Sequence, residues 1–466
     1  MHLKEKRYHR FHESLIKYYD IRGVFQETLF SEDAYFFGCA FGNYIKQHYQ
    51  ASSVNIACDN RSSSPILKKE LEKGLVDVGL NVIDLGYATS PLLYYSCNEI
   101  QNSTSGIVVT ASHNSSNYNG FKIVTNKKYI YGKEIEKLLQ PQSIDDLNLS
   151  KKGTVRKEID IKNKYIEHIT NPKTHFYTDH NTDSINHIKV AWDLNGGVSR
   201  YFVEKMIKLL PGIHYIIENI NSHNSTNTDS KLDTIKNFIK KSNCDYGFVL
   251  DEDADRLLVV DKQNKIYLGD QLLCLFTKDL LTRHKNAKII TDIKASKSYI
   301  DEIEKLGAKI LISKTGHSII KNNLKNHKAL LAGEVSGHLY FSENYYGFDD
   351  ALFAASKLIY LLADNYNKEY LRSLSKEYLS KEIKVKVDNK FSCIAKIKKI
   401  LDAAKKKYCD LDGVRVDNKQ GWWIIRASNT EKILIVRFEG YSKSNFHFIF
   451  KDLSNILSFL GLNIYQ

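Results

Sequence analysis

Ser112 lies in the run Thr110-Ala111-Ser112-His113-Asn114, which Tyr118-Asn119-Gly120-Phe121-Lys122 follows closely. The run sets a hydroxyl between an imidazole and an amide in a polar turn, with an ammonium group further on. A hydroxyl so placed can accept a phosphoryl group when a neighbour takes its proton. Ser and Asn are also ordinary turn residues that bond nearby backbone groups, so the run alone fits a structural turn equally well. A second cluster, Asp251-Glu252-Asp253-Ala254-Asp255-Arg256, directly follows the apolar run Tyr246-Gly247-Phe248-Val249-Leu250. Three aspartates at alternate positions crowd like charges, and a hard divalent cation would relieve the repulsion. A calcium hand is excluded, because its loop needs Gly at position six and Glu at position twelve, where this chain has Arg256 and Lys262. A solvated acidic turn stays open, although Arg256 beside the cluster suits a metal-phosphate site.

Two further loops carry polar groups. Gly333-Glu334-Val335-Ser336-Gly337-His338 sits between Leu330-Leu331 and Leu339-Tyr340, and its carboxylate and hydroxyl suit sugar hydroxyl groups. Arg426-Ala427-Ser428-Asn429-Thr430 follows Trp422-Trp423-Ile424-Ile425, and a forked guanidinium with short polar side chains suits a phosphate dianion. Each could equally be a polar turn or a hairpin loop.

The elements that must position these loops follow a recurring pattern. Val54 to Cys58 reads as a buried strand, Ser64-Pro65 as a helix cap with proline at the first helical position, and Leu80 to Leu85 as the next strand. Ile188 to Asp193 and Ile213 to Ile217 flank a second amphipathic stretch. Ala287 to Ile293 and Ala308 to Ile312 flank a third, capped by Ser298 with Asp301 and ended by Gly307. Strands alternating with helices predict βαβ units on mostly parallel sheets. Asp350 to about Asn365 reads as a long helical region, and Ile383 to Val387 alternates as a half-exposed strand should. The polar stretch from Asn219 to Asp229 reads as an exposed loop. A chain of 466 residues exceeds one ordinary core. The predicted domains are residues 1–157, 158–261 and 262–369, each α/β, and a smaller α+β domain over 370–466.

Composition narrows the class. Hydrophobic residues make up 42% and charged residues 26%, as in a soluble globular protein, and no apolar run is long enough to span a membrane. The charged N-terminus lacks a secretory signal, so a cytoplasmic location is expected. The seven cysteines form no C-x-x-C pair, which predicts reduced thiols, mainly in cores. A net charge of +13 could mean nucleic-acid binding, but the lysines are spread along the chain, and no nucleic-acid partner is expected.

All four loops in this order, one per domain, resemble the α-D-phosphohexomutase superfamily, and most closely its bacterial phosphomannomutase/phosphoglucomutase group. Linking segments share the resemblance: Tyr19-Asp20-Ile21-Arg22-Gly23, Lys314-Thr315-Gly316-His317, Gly347-Phe348-Asp349-Asp350 and Asp412-Gly413-Val414-Arg415-Val416. The resemblance implies four domains around a central cleft, three of them α/β with mixed sheets and the last a smaller α+β unit. It also implies reversible movement of phosphate between C1 and C6 of mannose and glucose phosphates. Ser112 would be held as phosphoserine, with a hexose 1,6-bisphosphate as activator and intermediate. Asp251, Asp253 and Asp255 with a phosphoserine oxygen would hold Mg²⁺, and Glu334 and Ser336 would bond the sugar hydroxyls. Arg426, Ser428, Asn429 and Thr430 would hold the phosphate that is not reacting, helped by Tyr19, Lys294 and His317. Arg22 and Arg256 would lie near the transferring group, and Lys122 and His338, with a lowered pKa, are the acid/base candidates. The partners implied are small hexose phosphates, with the protein a monomer or else a dimer.

Some positions depart from the family's pattern. Ser115 stands where a proline is common, Glu252 and Ala254 where glycines are, and Lys432 follows Glu431 where a proline is frequent. Without proline at Ser115 the nucleophile loop is expected to be looser. A phosphoglucosamine mutase is an alternative, against which Val335 and the linking segments argue. A non-catalytic sugar-phosphate-binding protein is another, against which Ser112 and the three aspartates speak.

Overall fold

The strand Ser53–Cys58 is apolar along most of its length because helices cover it on both faces, as parallel strands require. The computed structural model that shows this describes residues 8–143, 152–176, 187–218, 228–374, 377–428 and 431–464. The chain divides into two compact units, Met1–Gly269 with Ser336–Lys368, and Asp270–Val335 with Glu369–Gln466.

The first unit contains a six-stranded mixed sheet in the order Ile21–Val24, Tyr118–Val124, Gly106–Val109, Ser53–Cys58, Asn81–Tyr87, Val155–Lys157. The last four run parallel to one another, while Tyr118–Val124 is antiparallel to both its neighbours. This arrangement leaves Ser112 in the link between Gly106–Val109 and Tyr118–Val124. Arg22 lies opposite Gly120 in the register. The approach at Gly120 is so close that a Cβ there would meet the Ile21 carbonyl oxygen at 1.9 Å. Gly120→Ala is therefore expected to destabilise the protein by about 2 kcal/mol or more, read as a lower midpoint in urea unfolding.

A five-stranded sheet follows in the order Ile213–Ile216, Lys189–Asp193, Tyr246–Leu250, Leu257–Asp261, Ile266–Tyr267. Leu250 pairs antiparallel with Leu257, so residues 251–256 form the connecting loop. Ala254 takes φ +58° there. That left-handed conformation costs a non-glycine residue about 1–2 kcal/mol, which explains a glycine preference at this position. The helix Ala351–Leu361 is buried along its whole length, and Asp350 caps it by accepting from the Leu352 and Phe353 N–H groups.

In the second unit, Lys309–Ser313, Lys288–Asp292 and Leu331–Gly333 pair in parallel. An antiparallel sheet follows, in the order Ile383–Lys386, Ile433–Gly440, Gly421–Ala427, Val414–Asp417. The helices Lys390–Ala403 and Lys443–Ser458 cover it through Ile397, Leu401, Ile449 and Leu453 against Trp423, Ile425 and Leu434. Buried arginines tie this sheet to the segment around Lys294. Arg437 donates to Asp270 at 3.1 Å and to the Lys294 carbonyl at 2.7 Å. Arg415 donates to the Ile293 and Ala295 carbonyls and stacks over Trp422.

Both predicted helix caps shift. Ser63, not Ser64, precedes the helix Ser64–Asp77, and the Ser64 hydroxyl donates to Asp59. Ser296 precedes Lys297–Lys305, and Ser298 donates to Glu439 at 2.6 Å. In each case a buried carboxylate captures the hydroxyl that the sequence offers to the helix end. Most of the predicted Asn219 to Asp229 loop lies outside the described residues, and Thr228 and Asp229 already belong to a helix. All seven cysteines are free and five are buried. Among the described residues no helix is long and apolar enough to cross a membrane.

Candidate active site

The strand ends of the first unit bring Ser112 to the aspartate loop. Ser112 is buried at φ +51°, and its Oγ donates to Asp251 Oδ2 at 2.9 Å. Two arginines hold its loop. Arg22 pairs with Asp20 and donates to the Ala111 carbonyl at 2.9 Å and to the Asn114 side chain. Arg61 donates to the carbonyls of Ser112, Asn114, Ser115 and Tyr118. His113 Nδ1 lies 3.4 Å from Ser112 Oγ, and the Arg256 charge pushes the His113 imidazole well below its usual pKa.

Asp251, Asp253 and Asp255 converge so that their oxygen atoms lie within 4.8 Å of one another. Burial, then the charges of Asp255 and Asp253, push the Asp251 carboxyl up. Asp253 Oδ1 and Asp255 Oδ1 are buried and have no hydrogen-bond partner among the described residues. Hard oxygen donors left unsatisfied in a crowded buried cluster fit a divalent cation of the magnesium or calcium type.

Lys122 reaches the same cluster, with Nζ 2.5 Å from both Asp253 Oδ2 and Asp255 Oδ2. Burial works to lower its pKa, but Asp253 and Asp255 outweigh it and the net direction is up. The lowered pKa expected of Lys122 is thus reversed, because two carboxylates from the second sheet surround the ammonium. The His338 Nε2 accepts from Arg256 Nε at 3.0 Å, and Nδ1 lies 3.1 Å from Asp349 Oδ2. That pair of contacts orients both the imidazole and the guanidinium. Tyr19 lies in the first unit, edge-on to Tyr18 and two residues before the strand Ile21–Val24.

The predicted sugar loop is shared by the division of the chain: Glu334 belongs to the second unit, Ser336 and His338 to the first. Gly337 takes φ +96° with the Leu257 carbonyl 2.6 Å from where a Cβ would be, so this turn requires glycine.

In the second unit a different set converges. Glu334 Oε1 accepts from the Gly316 N–H at 2.9 Å, and Asp412 accepts from the Thr315 N–H at 3.1 Å and from Arg426 Nε at 3.2 Å. Asp412 therefore joins the Lys314 to His317 loop to the end of Gly421–Ala427, which carries Arg426. His317 begins the helix His317–His327. Lys294 is buried and pairs with Glu382 at 2.7 Å and Asp292 at 3.6 Å. Against the desolvation that would raise it, the Lys294 ammonium draws Glu382 down to about 2. Ser428 is buried and accepts from the Glu431 N–H, while Asn429 and Thr430 lie outside the described residues.

Domain by domain, the chain matches the phosphoglucomutase/phosphomannomutase alpha/beta/alpha domain I over residues 13–145 and domain II over 163–265. Domain III matches over 268–381 and the C-terminal domain over 382–456. The chain belongs to the phosphoglucomutase/phosphomannomutase family. Its four-domain architecture is that of the family, with mixed sheets in the first two domains and an antiparallel sheet in the last. A phosphomannomutase/phosphoglucomutase of Pseudomonas putida is 34% identical over 440 residues, covering 92% of each chain. One of Pseudomonas aeruginosa is 35% identical over 438 residues, covering 91% of each. A crystal structure of a phosphoglucomutase/phosphomannomutase family protein from Burkholderia thailandensis superposes with a TM-score of 0.85 at 28% identity, over 97% of this chain and 100% of that one.

Several residues of the family member's site were not singled out in its sequence. Arg61, Asp59, Asp349, Asp412 and Glu382 each contact a candidate residue or its loop. Asp349 and Asp412 fall inside segments that resemble the family, which was the available signal. For Arg61, Asp59 and Glu382 no local pattern existed.

Proposed function

We propose that this family member moves a phosphoryl group reversibly between C1 and C6 of hexose phosphates, with mannose and glucose phosphates as substrates. The observation that carries this is the convergence of Ser112, the three aspartates, Lys122 and two arginines on one buried cluster.

Ser112 Oγ carries the phosphoryl group and gives it to the free hydroxyl of a hexose monophosphate. The Oγ–P bond breaks as the new sugar O–P bond forms, and the hydroxyl proton leaves to a base. The resulting 1,6-bisphosphate turns over, and its other phosphate returns to Ser112 with release of the isomeric monophosphate. Asp251, Asp253 and Asp255 would hold Mg²⁺, which when bound would supply positive charge to the phosphoryl oxygens. Arg22 and Arg256 supply further positive charge beside the transferring group. Lys122 and His338 are the groups for the hydroxyl proton. His338 is the better oriented of the two, held between Arg256 and Asp349. Glu334 and Ser336 bond the sugar hydroxyls, while Arg426, Ser428, Asn429 and Thr430 hold the idle phosphate with Tyr19, Lys294 and His317. Domain boundaries near residues 157, 261 and 369 belong to the same reading.

The test is conversion of mannose 1-phosphate and glucose 1-phosphate to the 6-phosphates by purified protein with Mg²⁺ and a trace of hexose 1,6-bisphosphate. Absence of both conversions would overturn the proposal. A glucosamine phosphate competing in the same assay should react more slowly, and a preference for it would move the assignment to a phosphoglucosamine mutase. Arg426→Lys keeps the charge but loses the planar fork. KM for the sugar phosphate is expected to rise about tenfold, or 1.4 kcal/mol, with kcat little changed in steady-state kinetics.

A further inference from the structure

Ser112 holds a left-handed backbone conformation, which persists only where its surroundings enforce it. The surroundings here centre on one guanidinium. Arg61 Nη2 donates to the carbonyls of Ser112 at 2.5 Å and Asn114 at 2.7 Å, and Nη1 donates to those of Ser115 at 2.7 Å and Tyr118 at 3.2 Å. Its fifth N–H, on Nε, goes to Asp59 Oδ2 at 3.2 Å. All the donors of the planar fork are thus used, and the side chain is only 7% exposed.

Asp59 closes the arrangement from the other end of the loop. Its Oδ2 accepts from Thr110 Oγ1 at 2.7 Å, and Thr110 Oγ1 accepts from the Ser112 N–H at 3.0 Å. The loop is therefore held at the Ser112 amide through Thr110 and at four carbonyls through Arg61. These bonds restrain the backbone on both sides of Ser112, and one of them ends on the Ser115 carbonyl.

We propose that Arg61 is a positioning residue for phosphoryl transfer, acting through the backbone of residues 112–118 to fix where the Ser112 hydroxyl stands. The proposal rests on the phosphoserine reading above. A lysine at position 61 would keep a cation beside Asp59, but its three donors at one point cannot serve four carbonyls arrayed around a plane.

The experiment compares full-length Arg61→Lys and Arg61→Gln with the parent protein in kcat, KM for glucose 1-phosphate, unfolding temperature, and phosphate content of Ser112 by mass spectrometry. A nucleophile displaced by about 1 Å loses about 10²-fold in rate, so kcat should fall by that order in both variants. KM should stay within about threefold, because ground-state binding is left intact. Arg61→Lys should unfold close to the parent temperature. The proposal is overturned if either variant turns over within threefold of the parent. It is equally overturned if both fail to fold, or if kcat falls only together with the unfolding temperature, since Arg61 would then be purely structural. A parent protein with no phosphate on Ser112 and no turnover would sink the phosphoserine reading itself, and this proposal with it.

Discussion

Ser112→Ala is expected to lower kcat by about 10⁴-fold or more, the scale seen when a covalent nucleophile is removed. Its Oγ, which donates to Asp251 Oδ2, is the only atom lost. The left-handed backbone at position 112 is held by Arg61, Arg22 and Thr110, so alanine should occupy it without a large change in unfolding temperature. Binding of a hexose phosphate, measured by calorimetry, should survive, because Lys294, Glu334 and Arg426 belong to the second unit. A variant that kept substantial turnover would place the nucleophile elsewhere. A parent protein that bound sugar phosphate without turnover would point to a binding protein.

The second large effect is expected at Asp253. This buried carboxylate accepts from Lys122 at 2.5 Å and from the Ser90 hydroxyl, and its other oxygen has no hydrogen-bond partner among the described residues. Asp253→Asn removes one negative charge from the cluster while keeping the shape of the side chain. Loss of one preorganised electrostatic group of this kind costs about 10²–10³-fold in kcat. The parent protein should melt at a higher temperature as Mg²⁺ is added, since a ligand that binds only the folded state stabilises it. That rise should be much smaller in Asp253→Asn. Chelation with EDTA should lower activity in the parent and be reversed by Mg²⁺. An undiminished melting shift in the variant would show that Asp253 is not a ligand.

The sequence revealed the strands and loops well, because apolar runs bounded by Gly, Pro and Ser report burial directly. Tyr246–Leu250 and the aspartate loop after it were legible for that reason, and so was the half-exposed alternation of Ile383–Lys386. The helix caps at Ser64 and Ser298 were misread because their partners, Asp59 and Glu439, come from elsewhere in the fold. The partners of Lys122 lie 131 and 133 residues away, so its raised pKa could not be read from its neighbours. Arg61 was invisible for another reason. Its partners are mostly backbone carbonyls, which every residue carries, and nothing in their side chains marks the interaction. The grouping of residues 336–368 with the first unit also had no local signal, since it follows from packing of the helix Ala351–Leu361 against Asp160–Thr170.

The central claim is that Ser112 both gives and receives the phosphoryl group. Mass spectrometry of the purified protein, before and after a single addition of hexose 6-phosphate with Mg²⁺, tests it most directly. One phosphate on Ser112 that passes to the sugar as hexose 1,6-bisphosphate is the result predicted. An active protein whose Ser112 never carries phosphate, or whose phosphate stays in place through turnover, would contradict it.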